Sequence, residues 1–298
     1  MSLYLRRLPK IEYLAPKTID EALSMQNENE NCKFLAGGTD LLIQMKNREK
    51  RPSVLIGLKN IPELNFIEYD EANGLRIGAL TLLQALANSS VIRDKYNALH
   101  NAVSNMASLQ VRNLGTIGGN LCNAAPSADT APPLLVLDAK LKVVDINGDR
   151  VVPAQDFFTG PGGTILTSSM LLTEIQIDWP AVFSSSIYLR NTTRNAMDLA
   201  RASVAAFIKM DSEKGICEDA RIALGAVAPV PMRADKAERL LKNTNVTPKL
   251  LDEVGLQACQ ECRPITDVRS TAEYRKEMIR ILTRRAVKAL SGNVGGKK

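Results

Sequence analysis

Two glycine-rich stretches in the first half of the chain carry residue types that can bind a phosphate group. The first stretch is Ala36-Gly37-Gly38-Thr39-Asp40, which follows a short apolar run and precedes an apolar helical segment from Leu41. Adjacent glycines let backbone N–H groups approach an anion closely, a threonine hydroxyl adds a donor, and a helix N-terminus favours negative charge. Taken alone, the stretch is more simply explained as a strand-to-helix turn that needs glycine only for its geometry.

The second stretch repeats this chemistry further along the chain. It is Gly115-Thr116-Ile117-Gly118-Gly119-Asn120, which combines glycines with a hydroxyl and a carboxamide. Two such turns in one domain are what a pyrophosphate that bridges two nucleoside halves needs, so the pair predicts a bound dinucleotide. Neither turn has the G-x-G-x-x-G pattern of Rossmann domains, and no G-x-x-x-x-G-K-[ST] occurs, which disfavours an ordinary NAD domain or an NTPase.

Short strands and capped helices must position these stretches. The patterns predict strands at 32–35, 54–58, 75–77 and 171–177, and helices at 18–27, from 81, and at 97–109. Thr18 with Glu21 and Thr81 with Gln84 are capping-box pairs. Residues 134–146 are interpreted as strand and turn before an Asn147-Gly148 hairpin, 160–164 as a loop, and Trp179-Pro180 as the end of the last strand.

The second half of the chain predicts an antiparallel sheet covered by helices. Strand-like stretches at 186–189, 203–210 and 220–227 are followed by helices at 235–241, 248–262 and 271–290. Ser270 with Glu273 gives the last helix a capping box. We therefore expect a first domain at 1–183, with subdomains at about 1–60 and 61–183, a second domain at 184–290 and a disordered tail at 291–298.

Composition narrows the classes of function. The 298 residues carry a formal charge of +6 without a block of like charges, and only 4% are aromatic, so a nucleic-acid partner gains little support. No apolar run approaches the roughly 18 residues of a membrane span, and no secretion leader is visible at the N-terminus. Five scattered cysteines favour a reducing compartment, for which the cytoplasm is the default.

Three further features could carry chemistry but have simpler explanations. Cys259-x-x-Cys262 has no second Cys or His pair at ligand spacing, so packing on one helix face is favoured over a metal or redox site. His100, the only histidine, lies in a predicted helix, where a packed or solvent-facing imidazole is favoured over a catalytic base. The arginine-rich stretch 190–201 leaves a solvated hairpin and a functional site equally open. No metal site is predicted.

The longer motifs resemble one known family. They are Ala36-Gly37-Gly38-Thr39-Asp40-Leu41, Gln110-Val111-Arg112-Asn113-Leu114-Gly115-Thr116-Ile117-Gly118-Gly119-Asn120 and Ala124-Ala125-Pro126-Ser127-Ala128-Asp129. The family is the FAD-binding, or medium, subunit of molybdenum hydroxylases, as in carbon monoxide dehydrogenase, bacterial xanthine dehydrogenase and nicotinate dehydrogenase. The resemblance covers essentially the whole chain. It implies an α/β (α+β) fold, with a two-subdomain FAD-binding domain of the vanillyl-alcohol-oxidase/PCMH type and a C-terminal antiparallel-sheet-and-helix domain.

The resemblance also implies which residues hold FAD. Residues 34–41 would lie along the pyrophosphate and ribityl chain, and residues 116–120 would complete the cradle. Asp129 would meet a sugar hydroxyl, Met106 the flavin or adenine, Leu172 the adenine end, and Arg190 the isoalloxazine ring. The implied set is Phe34, Leu35, Ala36, Gly37, Gly38, Thr39, Asp40, Leu41, Met106, Thr116, Ile117, Gly118, Gly119, Asn120, Asp129, Leu172 and Arg190. Arg194 and Asp198 are expected to shape the acceptor pocket, and no residue is assigned a catalytic role of its own.

The implied activity is an electron relay that needs partners. A large subunit with the molybdenum cofactor hydroxylates a substrate, a small subunit passes electrons through [2Fe–2S] clusters, and FAD on this chain hands them to an acceptor such as NAD(P)+. A dimer of such heterotrimers is expected. Gly119-Asn120-Leu121-Cys122 lacks the cysteine-bearing insertion that follows it in 4-hydroxybenzoyl-CoA reductase, so no iron–sulfur cluster is expected on this chain. The alternatives are a stand-alone FAD oxidase or dehydrogenase of the same superfamily and a non-catalytic nucleotide-binding module.

Overall fold

The computed structural model describes residues 8–194, 196–211 and 213–294, which form a mixed α/β fold. The first sheet is parallel, with strands β1 (Glu12–Leu14), β2 (Cys32–Leu35) and β3 (Val54–Gly57) in the order β1-β3-β2. The central strand β3 is buried along its whole length, which explains its continuous apolar sequence. Helix α1 (Ile19–Glu28) precedes β2, and the Thr18 hydroxyl accepts from the Glu21 N–H at 3.1 Å, as its capping box predicts. Helix α2 (Leu41–Lys46) follows β2 after the first glycine stretch.

The second sheet is antiparallel, and along its strands apolar residues that face the core alternate with charged residues on the outer face. Its strands are β4 (Ile67–Asp70), β5 (Gly74–Gly78), β6 (Lys140–Asp145), β7 (Gly148–Pro153) and β10 (Leu171–Ile177), in the order β4-β5-β10-β6-β7. Ile77 and Ile175 face the core and are fully buried, whereas Arg76 and Glu174 lie on the outer face and form a 2.6 Å ion pair. The predicted strands at 75–77 and 171–177 and the hairpin at Asn147-Gly148 are confirmed.

Six helices lie between β5 and β6 along the chain. They are α3 (Leu83–Asn88), α4 (Ser90–Lys95), α5 (Asn97–Asn105), α6 (Leu109–Arg112), α7 (Ile117–Asn123) and α8 (Ala131–Val136). A short hairpin of β8 (Phe158–Gly160) and β9 (Gly163–Thr164) precedes β10, and single 3-10 turns occur at Leu58–Asn60, Pro62–Leu64 and Ala154–Asp156.

The third sheet separates two cores. Its strands β11 (Ser184–Asn191), β12 (Ala202–Met210), β13 (Cys217–Gly225) and β14 (Met232–Arg233) are antiparallel, and helices α9 (Asp235–Leu241), α10 (Pro248–Glu261) and α11 (Ala272–Val294) cover one face. On β12, Val204 and Ala206 point into the core beneath these helices, whereas Ala205 and Phe207 point into the core of α3–α8. Because both faces of β12 are covered, its sequence is a nearly continuous apolar run. The predicted antiparallel sheet and its three helices are confirmed.

The helical segments of the first half differ from the prediction. The helix expected at 97–109 ends at Asn105, because Met106 has an extended backbone with ψ 152° and Ala107 after it is left-handed with φ 50°. The strand expected within 134–146 starts only at Lys140, since residues 131–136 are the buried helix α8. A short buried apolar run looks alike in helix and strand, which explains this error. The loop expected at 160–164 instead contains the turn and second strand of the β8–β9 hairpin.

Two predicted helix caps are wrong. The Thr81 hydroxyl donates to the Phe66 carbonyl at 2.8 Å and does not cap α3. At α11 the capping oxygen belongs to Thr271, which accepts from the Tyr274 N–H at 3.2 Å, one residue after the predicted Ser270. At α3 the Phe66 carbonyl, fifteen residues earlier in the chain, binds the Thr81 hydroxyl, and the local sequence does not show that partner.

The C-terminal tail begins later than expected. Helix α11 continues to Val294, so the part of the predicted disordered tail at 291–294 is wrong, and residues 295–298 lie outside the described ranges. The division of the chain into domains at residue 183 stays a prediction.

Candidate cofactor site

The two glycine stretches meet in the tertiary structure. A Cβ on Gly37 would lie 2.7 Å from the carbonyl carbon of Leu114 and 2.9 Å from the Cα of Gly115, distances that only glycine permits. A Cβ on Gly119 would lie 3.7 Å from the Cβ of Ala36. The structure therefore places residues 36–39 directly against residues 114–119.

The first stretch offers a row of free backbone donors. The N–H groups of residues 36–41 donate to no acceptor among the residues that the structure describes, and the Thr39 hydroxyl likewise has no partner there. Gly38 takes a left-handed backbone with φ 71°, which turns the chain in the middle of this row. Consecutive free N–H groups around such a turn form a concave anion site. These residues therefore fit a diphosphate group.

The backbone of the second glycine stretch, residues 115–120, does not have the predicted role in anion binding. Residues 117–123 are helix α7 with Thr116 as its N-cap, so Gly118 and Gly119 belong to a helical turn. Gly118 N–H already donates to the Ala79 carbonyl at 2.8 Å, and Gly119 N–H donates to the Thr116 hydroxyl at 3.0 Å. The interpretation of this stretch as a second nest of free N–H groups is wrong. It forms the wall against which the first stretch packs.

Side chains connect this wall to its surroundings. Gln44 of α2 donates to the Asn123 carboxamide oxygen of α7 at 3.3 Å, which joins the helices that follow the two stretches. The Thr130 hydroxyl donates to the Asn120 carboxamide oxygen at 2.6 Å. Asn120 is thereby bound to the residue next to Asp129.

Asp129 lies in the interior between two donors. One carboxylate oxygen accepts from Arg190 Nη1 at 2.9 Å and the other accepts from the Tyr188 hydroxyl at 2.5 Å. Burial raises the pKa of Asp129, and the charge of Arg190 and the Tyr188 hydrogen bond oppose this rise. Burial and the neighbouring carboxylate raise the pKa of Tyr188 well above its usual value, so the phenol stays a donor. Both oxygens of Asp129 are thus engaged by the protein, and its contact with a cofactor sugar stays a prediction.

Three successive carbonyl groups at the end of α5 are each bound by a different element. The carbonyls belong to Asn105, Met106 and Ala107, and their donors are, in that order, Arg190 Nη2, Arg112 Nη1 at 2.8 Å and the Met197 N–H at 3.3 Å. Helix ends leave such carbonyls without intrahelical partners, so these donors stabilise the junction. It brings Met106 and Arg190, two predicted cofactor contacts, next to each other.

The other predicted contacts fall in different surroundings. Leu172 on β10 is 2% exposed and lies in the same buried cluster as Met106 and Ile117. Phe34 packs against the core of the first sheet, while Asp40 is exposed and makes no capping bond to α2. The predicted contact of Leu172 with adenine stays a prediction.

The connection from β11 to β12 is organised by Asp198. Its carboxylate accepts from the N–H groups of Thr193 at 2.7 Å, Arg194 at 2.9 Å and Leu199 at 2.9 Å. The Arg194 side chain is 68% exposed. Asp198 is therefore a loop-organising residue, and the role predicted for both residues in an acceptor pocket stays a prediction.

The remaining candidates are packed side chains. His100 Nε2 lies 3.2 Å from both the Ala87 carbonyl and the Ser104 hydroxyl, which confirms a packed imidazole. Cys262 is 2% exposed and belongs to the core beneath α9–α11, and Cys259 is half-buried. In the described ranges, no group of three or more His, Cys, Asp or Glu could hold a metal ion. Nor does any helix of that part have the length and apolar character to cross a bilayer.

Sequence reasoning missed two residues of the site. Arg112 binds both the Met106 carbonyl and, through Nε, the Gln84 carboxamide at 2.9 Å. Arg112 lies within the motif of residues 110–120, so the family resemblance could have indicated it. Tyr188 precedes Arg190 by two residues on β11, and this alternation places both side chains on one face of the sheet.

Comparisons with known proteins agree with this geometry. A family model described as "FAD binding domain in molybdopterin dehydrogenase" matches residues 9–180, and one described as "CO dehydrogenase flavoprotein C-terminal domain" matches residues 187–290. The chain is 33% identical to the xanthine dehydrogenase FAD-binding subunit of Escherichia coli O157:H7 over 286 residues, which cover 96% of this chain and 97% of that one. It is 30% identical to the nicotinate dehydrogenase FAD-subunit of Eubacterium barkeri over 273 residues, or 90% and 92% of the two chains.

A solved structure extends the likeness to three dimensions. The carbon monoxide dehydrogenase from Hydrogenophaga pseudoflava, in a form that lacks the Mo-pyranopterin moiety of the molybdenum cofactor, contains a chain that superposes with a TM-score of 0.92. The two are 32% identical, with coverage of 96% of this chain and 99% of that chain.

The fold, the diphosphate-sized row of donors and these relatives together define a redox subunit that binds a flavin dinucleotide. The chain belongs to the family of FAD-binding subunits of molybdopterin-dependent dehydrogenases. This confirms the family resemblance, the mixed α/β fold and FAD as the cofactor of this chain. The free donors at 36–41 independently fit the diphosphate of that cofactor.

Proposed function

We propose that this chain is the electron-transfer subunit of a molybdenum hydroxylase complex, which takes electrons from [2Fe–2S] clusters of a partner subunit and passes them to an acceptor such as NAD(P)+. The observation that carries the proposal is the row of N–H groups at 36–41, which have no acceptor among the described residues and are backed by residues 114–119. Bound FAD supplies the exchange between one-electron and two-electron carriers.

The residues of the chain divide the binding of FAD between them. Residues 34–41 hold the diphosphate and ribityl chain, and residues 116–120 support them from behind. Asp129, Met106 and Leu172 complete the proposed contacts. Arg190 supplies a positive charge beside the ring, where Coulomb attraction favours the negative charge that a reduced flavin carries. Arg194 and Asp198 border the place where the acceptor binds.

The names of the relatives support a complex of several subunits. The chain is 32% identical to each of the carbon monoxide dehydrogenase medium chains of Hydrogenophaga pseudoflava and Afipia carboxidovorans, and it spans 97% and 95% of their lengths. A medium chain implies a larger and a smaller companion. We infer a large subunit with the molybdenum cofactor, a small [2Fe–2S] subunit and a dimer of such heterotrimers. Five free cysteines support a reducing compartment such as the cytoplasm.

An anaerobic reduction of the FAD-loaded chain tests the acceptor. If NAD(P)+ receives electrons from this site, NADH or NADPH should bleach the visible absorbance of the bound flavin in the reverse direction. The same titration with reduced ferredoxin and with a quinol serves as the comparison. Bleaching by one of these alone, with none by either nicotinamide, would contradict the proposed acceptor and leave FAD binding intact.

Co-purification tests the relay. The chain expressed with its neighbouring reading frames should be recovered with molybdenum and iron in one complex, and the chain alone should turn over no organic substrate. Steady turnover by the isolated chain would favour a stand-alone flavin oxidase or dehydrogenase. A chain that stays colourless after FAD addition would favour a non-catalytic nucleotide-binding module.

A further inference from the structure

Tyr188 and Arg190 converge on one buried carboxylate. They leave the same face of β11 because they are two residues apart, and both side chains reach Asp129. Tyr188 and Asp129 are each 4% exposed, and the Arg190 side chain is 8% exposed. The three groups therefore form a chain of hydrogen bonds out of reach of bulk water.

The guanidinium of Arg190 is held by acceptors from separate parts of the chain. Nη1 donates to Asp129 at 2.9 Å and lies 3.5 Å from the Asp198 carbonyl, while Nη2 donates to the Asn105 carbonyl. A planar guanidinium with several fixed acceptors has little freedom to move. The Asp129 carboxylate is the charged member of this set of acceptors, so the place and charge balance of the guanidinium depend in part on how that carboxylate is held.

Tyr188 holds that carboxylate. Its hydroxyl donates to Asp129 over 2.5 Å, in the range of charge-assisted hydrogen bonds, which favour the ionised form of an acid. Without this donor, one oxygen of a buried carboxylate would have no partner, and the acid would take up a proton more readily. The phenol thus helps to keep Asp129 negative and the net charge of the group near zero.

We propose that Tyr188 is a positioning residue that acts through Asp129 on Arg190 and thereby sets the reduction potential of the bound FAD. The inference rests on the proposed function, in which Arg190 lies beside the flavin ring. A less negative Asp129 leaves the charge of Arg190 less compensated. An uncompensated cation stabilises reduced, anionic flavin and makes the potential more positive.

The test compares the midpoint potential of FAD in the full-length chain carrying Tyr188→Phe, Asp129→Asn or both. Each variant is titrated anaerobically with a reference dye, and its FAD content and FAD dissociation constant are measured separately. Tyr188→Phe should shift the potential to a more positive value, and Asp129→Asn should shift it further in the same direction. Because Tyr188 acts through Asp129, adding Tyr188→Phe to Asp129→Asn should cause no further shift.

Tyr69→Phe is the matched control. The Tyr69 hydroxyl is also buried but has no hydrogen-bond partner among the described residues, and its ring stacks on Trp179. Its removal should leave the potential unchanged. If Asp129→Asn does not fold, the pair Tyr188→Phe and Arg190→Gln replaces it, since Tyr188→Phe should lose its effect once the guanidinium is gone.

The outcomes separate this inference from the proposed function. A Tyr188→Phe chain with full FAD content and an unchanged potential would overturn the positioning role while FAD binding stands. Equal shifts with and without Asp129→Asn would also overturn it, because Tyr188 would then act independently. A wild-type chain that retains no FAD would contradict the proposed function itself.

Discussion

The amide nitrogen of Gly118 lies 2.8 Å from the carbonyl oxygen of Ala79, and a Cβ on Gly118 would lie 2.6 Å from that same oxygen. This glycine therefore joins the start of α7 to the end of β5. Gly118 is needed for packing between two elements, whereas the N–H groups without an acceptor in the described part of the chain lie in the stretch 36–41. Gly118 substitutions should therefore lower the stability of the fold, whereas substitutions in the stretch 36–41 should weaken FAD binding.

Gly118→Val should destabilise the fold even without FAD. The added side chain must push against the Ala79 backbone, and overpacking of this kind costs about 1–3 kcal/mol. Urea unfolding of the FAD-free chain should show this loss as a lower midpoint. Gly160→Val is the control, because a Cβ there meets nothing within 4 Å. Wild-type stability of Gly118→Val, with only FAD binding lost, would restore the nest interpretation.

Thr39→Val should weaken FAD binding without weakening the fold. The Thr39 hydroxyl has no partner in the described part of the chain, so its loss costs the FAD-free chain almost nothing. A hydrogen bond to a phosphate is worth about 1.5–3 kcal/mol, which corresponds to a Kd at least tenfold higher. Thr173→Val should behave in the opposite way, since that buried hydroxyl donates to the Lys142 carbonyl at 3.1 Å. Unchanged FAD affinity of Thr39→Val in a fluorescence titration would remove Thr39 from the site.

Arg190→Ala should keep FAD but make its potential more negative. The variant removes the cation that stabilises reduced flavin, while the free donors at 36–41 remain. Arg93→Ala, at a side chain that is 59% exposed and has no place in the proposed site, should leave the potential close to that of the wild type. A potential that does not move in Arg190→Ala at full FAD content would place the ring away from Arg190.

Glu238→Ala should be among the most destabilising changes in the second half of the chain. The Glu238 side chain is 6% exposed, binds Arg233 at 2.5 Å and accepts from the Ile222 N–H at 2.8 Å. Removing one partner of a buried ion pair costs about 3–5 kcal/mol, because the other charge is left unpaired. Glu253→Ala, in an exposed pair with Lys249, should cost less than about 1 kcal/mol. Equal losses for the two variants in urea unfolding would contradict this reading of the buried pair.

Asp267 should contribute to the loss of stability in acid. The Arg269 N–H and the Arg275 guanidinium bond the carboxylate and lower its pKa below the usual 3.8, despite an opposing effect of burial. Because the folded-state pKa is the lower one, the ionised group stabilises the fold above 3.8, and this contribution is lost as the pH falls through the folded value. Asp267→Asn should therefore be less stable than wild type at neutral pH, and the gap should narrow in acid. A gap in Tm that stays constant down to the lowest pH at which both chains are folded would rule this out.

Local sequence determined the elements whose signals are short-range. Thr18 with Glu21 placed the start of α1, the alternation in 171–177 placed β10, and Asn147-Gly148 placed a hairpin. The glycine motifs indicated a dinucleotide, and the longer motifs indicated the family. These signals depend on propensity, period and turn geometry over a few residues, so they can be read directly from the chain.

Only the tertiary structure decided how the site is built. Whether a backbone N–H is free depends on acceptors distant in sequence. The Ala79 carbonyl accepts from the Gly118 N–H, whereas no described residue accepts from the N–H groups of 36–41. The partners of Asp129, Tyr188 and Arg190, come from β11, about sixty residues further along the chain. No local sequence pattern around Asp129 predicts them. A buried polar group bonds to the partner that packing brings near it, so its partner is decided only when the sheets and helices pack together.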